Sequence, residues 1–88
     1  MNLTIDIGKI RWKCRRGMLE LDIILENFYE QQFQMLTDEE KILFSQLLDE
    51  PDPLLYNWLL RHDIVHDSKF DIILGRILSN RQENGLAL

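Results

Sequence analysis

Between Met18 and Phe33 the apolar residues Leu21, Ile24, Leu25 and Phe28 recur at i, i+3, i+4 and i+7, the spacing of one face of an α-helix. An isolated helix of this length is marginal in water, so the rest of the chain must cover that face. Leu19, Ile23 and Phe33 widen the apolar sector, and more than one packing neighbour is therefore expected. The acids Glu20, Asp22, Glu26 and Glu30 line the opposite side. The earliest of them suit the positive end of the helix dipole. With 88 residues the chain has room for one small domain, taken as residues 1–88, that buries ~60–65% of its unfolded surface. A 45% hydrophobic composition is enough for a real core and argues against disorder.

The remaining segments supply the cover. Lys9-Ile10-Arg11-Trp12-Lys13-Cys14-Arg15 alternates basic and apolar residues, the period of a half-buried strand, but Ile7, Ile10 and Cys14 also share one helical face. A helix from Thr4 to Arg15 is expected, because nothing downstream reads as a strand and a lone strand would leave its edges unpaired. Arg15–Gly17 then reads as an inter-helix turn. Thr37-Asp38-Glu39-Glu40 forms a capping box that opens a helix ending near Leu48, with Ile42, Leu43, Leu47 and Phe44 apolar. In Asp49-Glu50-Pro51-Asp52-Pro53, Asp52 is expected to cap a helix running to Arg61, with Pro53 at its first position and Leu55, Trp58 and Leu59 turned inward. His62–Asp67 reads as a loop. A last helix starts around Ser68 and carries Phe70, Ile73, Leu74, Ile77 and Leu78, with Arg76 and Arg81 complementing its dipole. Residues 84–88 read as a frayed tail. The expected fold is all-α, a single small bundle of about five short helices.

Charge is unevenly placed. Residues 1–16 hold Lys9, Arg11, Lys13, Arg15 and Arg16 against Asp6, a net of +4, so the other 72 residues carry −9 of the total of −5. An acidic body repels phosphates, which argues against nucleic-acid binding. A protein partner of complementary charge suits it better. No apolar run reaches the ~20 residues of a membrane span, and the N-terminus lacks the apolar core of a secretory signal. The single cysteine forms no internal disulfide and fits a reducing compartment.

Little in the sequence can carry catalysis. His62, Asp63 and His66 have metal-like spacing but fall across an expected loop with no further ligand nearby, so no metal site is expected. Cys14 sits among cations that would lower its pKa, yet its register is apolar, and a buried packing role is expected. Glu26 and Glu30 lie one turn apart on the outer face and read as solvated surface rather than a catalytic dyad, because a dyad needs burial or a close partner. There is no phosphate-binding glycine loop and no nucleophile with an evident base. No enzyme is expected.

Arg16-Gly17-x-x-Glu20 stands apart. As structure, Gly17 ends a helix and Arg16 pairs with Glu20 at i, i+4, an exposed pair contributing only ~0.3–0.5 kcal/mol. As function, the glycine admits a partner's backbone, the arginine offers a bidentate fork and the acid fixes orientation. This motif resembles the signature of the SdhE/YgfY family of succinate dehydrogenase flavinylation factors. Arg11-Trp12, Cys14-Arg15-Arg16-Gly17-Met18, Leu36-Thr37-Asp38-Glu39-Glu40-Lys41 and Asp52-Pro53-Leu54-x-x-Asn57-Trp58-Leu59 are similar to further blocks of the family, in its order, while Leu55 and Tyr56 depart from its usual pattern. The resemblance implies a helical assembly chaperone that binds the flavoprotein subunit of succinate dehydrogenase, with fumarate reductase as a further client, and promotes covalent attachment of FAD to a histidine there. It implies a partner-binding surface of Arg15, Arg16, Gly17, Glu20 and Asp22, joined by Trp12 as an exposed aromatic. No cofactor is expected to be held stably, and transient contact with FAD stays open. A cytoplasmic monomer is expected. An antitoxin-like regulatory protein-binding module is the alternative.

Overall fold

The computed structural model describes residues 7–61 and 68–83. Five α-helices follow in order: α1 (Ile7–Lys13), α2 (Leu19–Gln32), α3 (Asp38–Leu47), α4 (Asp52–Leu59) and α5 (Asp71–Glu83). Short 3₁₀ turns at Phe33–Met35 and Ser68–Phe70 extend α2 and lead into α5. Among the described residues there is no strand, so the ambiguous N-terminal segment is helical and the fold is all-α. The expected loop at 62–67 and the tail at 84–88 lie outside the described residues.

The architecture is built on α2, whose Leu21, Ile24, Leu25 and Phe28 are all buried, as their spacing requires. It packs against α4 and α5. Around it Ile10 and Cys14 enter from α1, Phe44 and Leu47 from α3, Leu55 and Leu59 from α4, and Ile73, Leu74 and Ile77 from α5. Phe44 stands at the centre, its ring 5.2 Å from Phe28 and 6.1 Å from Phe33 in tilted arrangements that favour aromatic pairs. Trp58 is half-buried and lies 6.1 Å from Phe70.

Several expectations are corrected. Leu19 is 69% exposed and does not extend the apolar sector of α2. In α3 the core stripe is turned by one residue: Phe44, Leu47 and Leu48 are buried while Ile42 and Leu43 are half-buried, because the Phe28 and Phe33 rings receive Phe44. Helix α4 begins one residue early, with Pro51 at the N-cap and no side-chain cap, and ends at Leu59 rather than Arg61. Asp52 does not cap it because its carboxylate is engaged elsewhere. Of the α5 arginines only Arg81 lies in the last turn, and both reach other helices: Arg76 pairs with Glu40 of α3, and the Arg81 guanidinium donates to the Leu59 carbonyl at the end of α4 (3.2 Å).

The capping box of α3 is formed as expected. The Thr37 hydroxyl accepts from the Glu40 backbone N–H (3.1 Å), and the Glu40 carboxylate accepts from the Thr37 N–H (2.9 Å). A buried polar bridge between α2 and α5 has no counterpart in the sequence reading. The Asn80 amide, 2% exposed, donates to Asn27 (2.8 Å) and accepts from Gln32 (3.3 Å).

Candidate functional site

The turn joining α1 to α2 is fixed from three directions. Gly17 adopts φ +83°, the left-handed region that costs an L-residue ~1–2 kcal/mol and glycine almost nothing. A Cβ there would meet nothing within 4 Å, so the glycine answers a conformational demand and leaves open space above it. The Asp22 carboxylate, one turn into α2, reaches back and accepts the backbone N–H of Arg16. The third constraint is the Arg16 side chain.

Arg16 is only 16% exposed, and its guanidinium is filled by acceptors within the chain. Nε donates to Asp52 Oδ1 (2.7 Å), Nη1 to the Lys13 (3.1 Å) and Leu48 (2.6 Å) carbonyls, and Nη2 to the Glu50 carbonyl (2.9 Å). The C-terminal carbonyls of a helix lack intrahelical donors and carry its negative dipole end. Helix α3 has no basic residue in its own last turn; α1 provides the cations. Beside Arg16, Lys13 Nζ donates to the Ser45 carbonyl (3.1 Å) and pairs with Asp49 (2.6 Å). Arg16 is thus no exposed i, i+4 partner of Glu20, and it bolts the end of α1 to the end of α3 and the start of α4. Local spacing could not reveal this, because the acceptors lie 32 to 36 residues away.

The expected site residues therefore divide. Arg16 and Asp22 face inward and build the turn. Arg15, Gly17, Glu20 and Trp12 are exposed on it, and Trp12 is 72% exposed. Glu20 makes no ion pair among the described residues. Leu19, beside Glu20, adds an exposed apolar side chain that the sequence reading had assigned to the core. Between α1 and α2 a groove of about 440 Å³ is lined by Arg11, Trp12, Arg15, Glu26, Tyr29 and others. Two ion pairs span it, Arg15–Glu26 (3.4 Å) and Arg11–Glu30 (3.7 Å). Both are exposed, contribute at most ~1 kcal/mol each, and are readily exchanged for a partner's groups. They also pair off much of the basic head, leaving little free positive surface for nucleic acid.

Cys14 lies beneath this surface with no exposure, its thiol donating to the Ile10 carbonyl (3.5 Å). Burial, aided by the Glu26 carboxylate, pushes its pKa up to about 12, against the opposing pull of Arg16 and Lys13. It packs as an inert thiol, as the sequence register implied. No cluster of metal-ligating residues occurs among the described residues; His62, Asp63 and His66 lie outside them. Among the described residues no helix is long and apolar enough to cross a membrane.

In fold, the chain is similar to a UPF0350 protein whose structure was determined in solution, with a TM-score of 0.74 and 32% identity over 96% of this chain and 89% of that one. The class is that of small helical proteins of this type. The sequence comparison goes further: the model of the family described as "Flavinator of succinate dehydrogenase" matches residues 8–81, and the chain belongs to that family. It is 60% identical over 77 residues, 88% of this chain and 94% of the relative, to the FAD assembly factor SdhE of Coxiella burnetii. To those of Shewanella oneidensis and Yersinia pseudotuberculosis it is 44% and 42% identical, over 72% and 89% of this chain and 77% and 89% of those relatives. The resemblance drawn from Arg16-Gly17-x-x-Glu20 and the downstream blocks is borne out. These relatives are named as assembly factors and not as catalysts, which agrees with the expectation of a non-enzyme.

Proposed function

We propose that this chain, as a single-domain cytoplasmic monomer, docks on the flavoprotein subunit of succinate dehydrogenase and promotes covalent attachment of FAD to a histidine of that subunit, with the fumarate reductase flavoprotein as a further client. The observation that carries the reading is the Gly17 turn, held open and rigid in a member of the flavinator family. Gly17 lets the client's backbone approach without a Cβ in the way. Glu20, Arg15 and Trp12 supply charge and apolar contact around it, and Arg16 and Asp22 keep the turn in the shape that presents them.

The contribution to the reaction is positional. Docking holds the client so that the acceptor histidine lies against the 8-methyl carbon of the flavin, replacing a conformational search by a fixed arrangement. A methyl C–H and the imidazole N–H would break as the N–C bond forms, and the two protons and two electrons would end on the client's flavin, leaving it reduced, so this chain supplies no redox group. FAD belongs to the client throughout; this chain has no dinucleotide-binding glycine loop and is not expected to hold it stably.

The test is flavin fluorescence of the flavoprotein after denaturation, which removes all but covalently bound FAD. Gly17→Arg should abolish the covalent signal. Gly17→Ala imposes the same left-handed strain and places a single Cβ in the contact, and should lower the signal by less than Gly17→Arg does. A Gly17→Arg variant that flavinylates at the wild-type rate would sink the reading and turn attention to a regulatory partner.

A further inference from the structure

We propose that the docking surface continues from the Gly17 turn across Met18 onto α4, where a groove seats an acidic segment of the same client and Arg61 pairs with one of its carboxylates. This rests on the flavoprotein-docking reading above and extends it to a second contact.

The groove, about 360 Å³, is lined by Met18, Asp52, Pro53, Tyr56, Asn57 and Arg61. Met18 follows Gly17 directly, so the groove adjoins the turn without a break. Its floor is largely apolar, formed by Met18, Pro53 and the ring of Tyr56. What distinguishes it is the state of its polar groups. Arg11, Arg15, Arg16 and Arg76 each pair with a carboxylate, and Arg81 donates to a carbonyl. Arg61 is exposed and has no partner among the described residues, and neither the Tyr56 hydroxyl nor the Asn57 side chain has one. In a chain of net charge −5, an arginine left without an acid is conspicuous. The groove's own carboxylate, Asp52, is not available to it, because Arg16 holds it at 2.7 Å.

The chemistry this selects is specific. A guanidinium beside an apolar floor favours a planar carboxylate, and Tyr56 and Asn57 add a hydroxyl and an amide able to bond an extended backbone. An acidic residue next to an apolar one on the client meets all of these groups at once. An acidic segment also accounts for an arginine that meets no carboxylate among the described residues: the pairing partner comes from the client.

Affinity of the isolated flavoprotein subunit for the full chain tests this, with wild type, Arg61→Glu, Lys69→Glu and Gly17→Arg compared at fixed ionic strength. Lys69 lies outside the groove, and its reversal changes net charge equally. Arg61→Glu should weaken binding about tenfold or more, as loss of a desolvated arginine contact does, and Lys69→Glu less than about twofold. Equal weakening by both would mean general repulsion and overturn the groove. Loss with Gly17→Arg but not with Arg61→Glu would overturn the groove and leave the docking reading standing. Loss with Arg61→Glu alone would keep the groove and remove the turn from the contact. Absence of wild-type binding would overturn both. In Arg61→Lys, carbodiimide should join residue 61 to an Asp or Glu of the client, and a mapped cross-link elsewhere only would count against the pairing.

Discussion

Arg16 illustrates how a motif residue can serve a surface without lying on it. Four of its five N–H donors meet one carboxylate and three carbonyls, so replacing it strands several part-buried acceptors. Arg16→Ala should lower the unfolding free energy by about 2–3 kcal/mol in urea titration. Arg16→Lys should recover less than half of that, because an ammonium lacks the fork. A variant as stable as wild type would mean that the bonds contribute nothing net and that the arginine is free to meet the client. The sequence placed this residue in the right motif and gave it the wrong neighbour. Glu20, four residues on, was the visible candidate, whereas Asp52 and the carbonyls of Leu48 and Glu50 become neighbours only when α3 and α4 fold back.

At the scale of elements, what local spacing controls was legible. The buried stripe of α2 and the capping box of α3 lie within seven residues, and both are present as read. Tertiary competition decided the rest. Asp52 is a good N-cap residue by type, but Arg16 claims its carboxylate, so α4 starts without a side-chain cap. Leu19 follows the apolar pattern yet stays exposed, because no helix among the described residues covers the first turn of α2 on that side. Helix α3 supports a prediction about pH. The Thr37 backbone N–H, and then the Arg76 guanidinium, hold the Glu40 carboxyl below its ordinary pKa despite partial desolvation. A carboxyl depressed in the folded state stabilises the fold above its unfolded pKa and loses that contribution as pH falls through the folded value. Stability should therefore decline in the acid range, and Glu40→Gln should flatten that decline in thermal unfolding followed across pH. At neutral pH, Thr37→Ala should cost about 1 kcal/mol. An unchanged acid slope in Glu40→Gln would assign it to other carboxylates.

For the whole molecule, Cys14 is a built-in reporter. It sits with no exposure at the seam where α1 meets the body, its thiol raised to about 12 by burial and by Glu26. Neither steric access nor thiolate is available in the closed state, so a maleimide or disulfide reagent should react only through opening of α1. Labelling at pH 8 should be slower than for a free thiol by a factor set by that opening. Arg16→Ala and Lys13→Ala, which release the end of α1, should accelerate it. Labelling at the free-thiol rate in the wild-type chain would show that α1 is not seated.

The Arg16 bolt also has a consequence for when the proposed docking surface exists. It joins residues 32 to 36 positions apart, so its parts leave the ribosome at different times. A nascent chain that has released only its first two helices carries Gly17 and Glu20 but cannot yet lock the turn between them. The surface is completed only after Asp52 has emerged and α4 has closed against it. On the docking reading proposed above, recognition by this turn is recognition of a finished bundle, and a truncated or half-folded copy would not occupy the client.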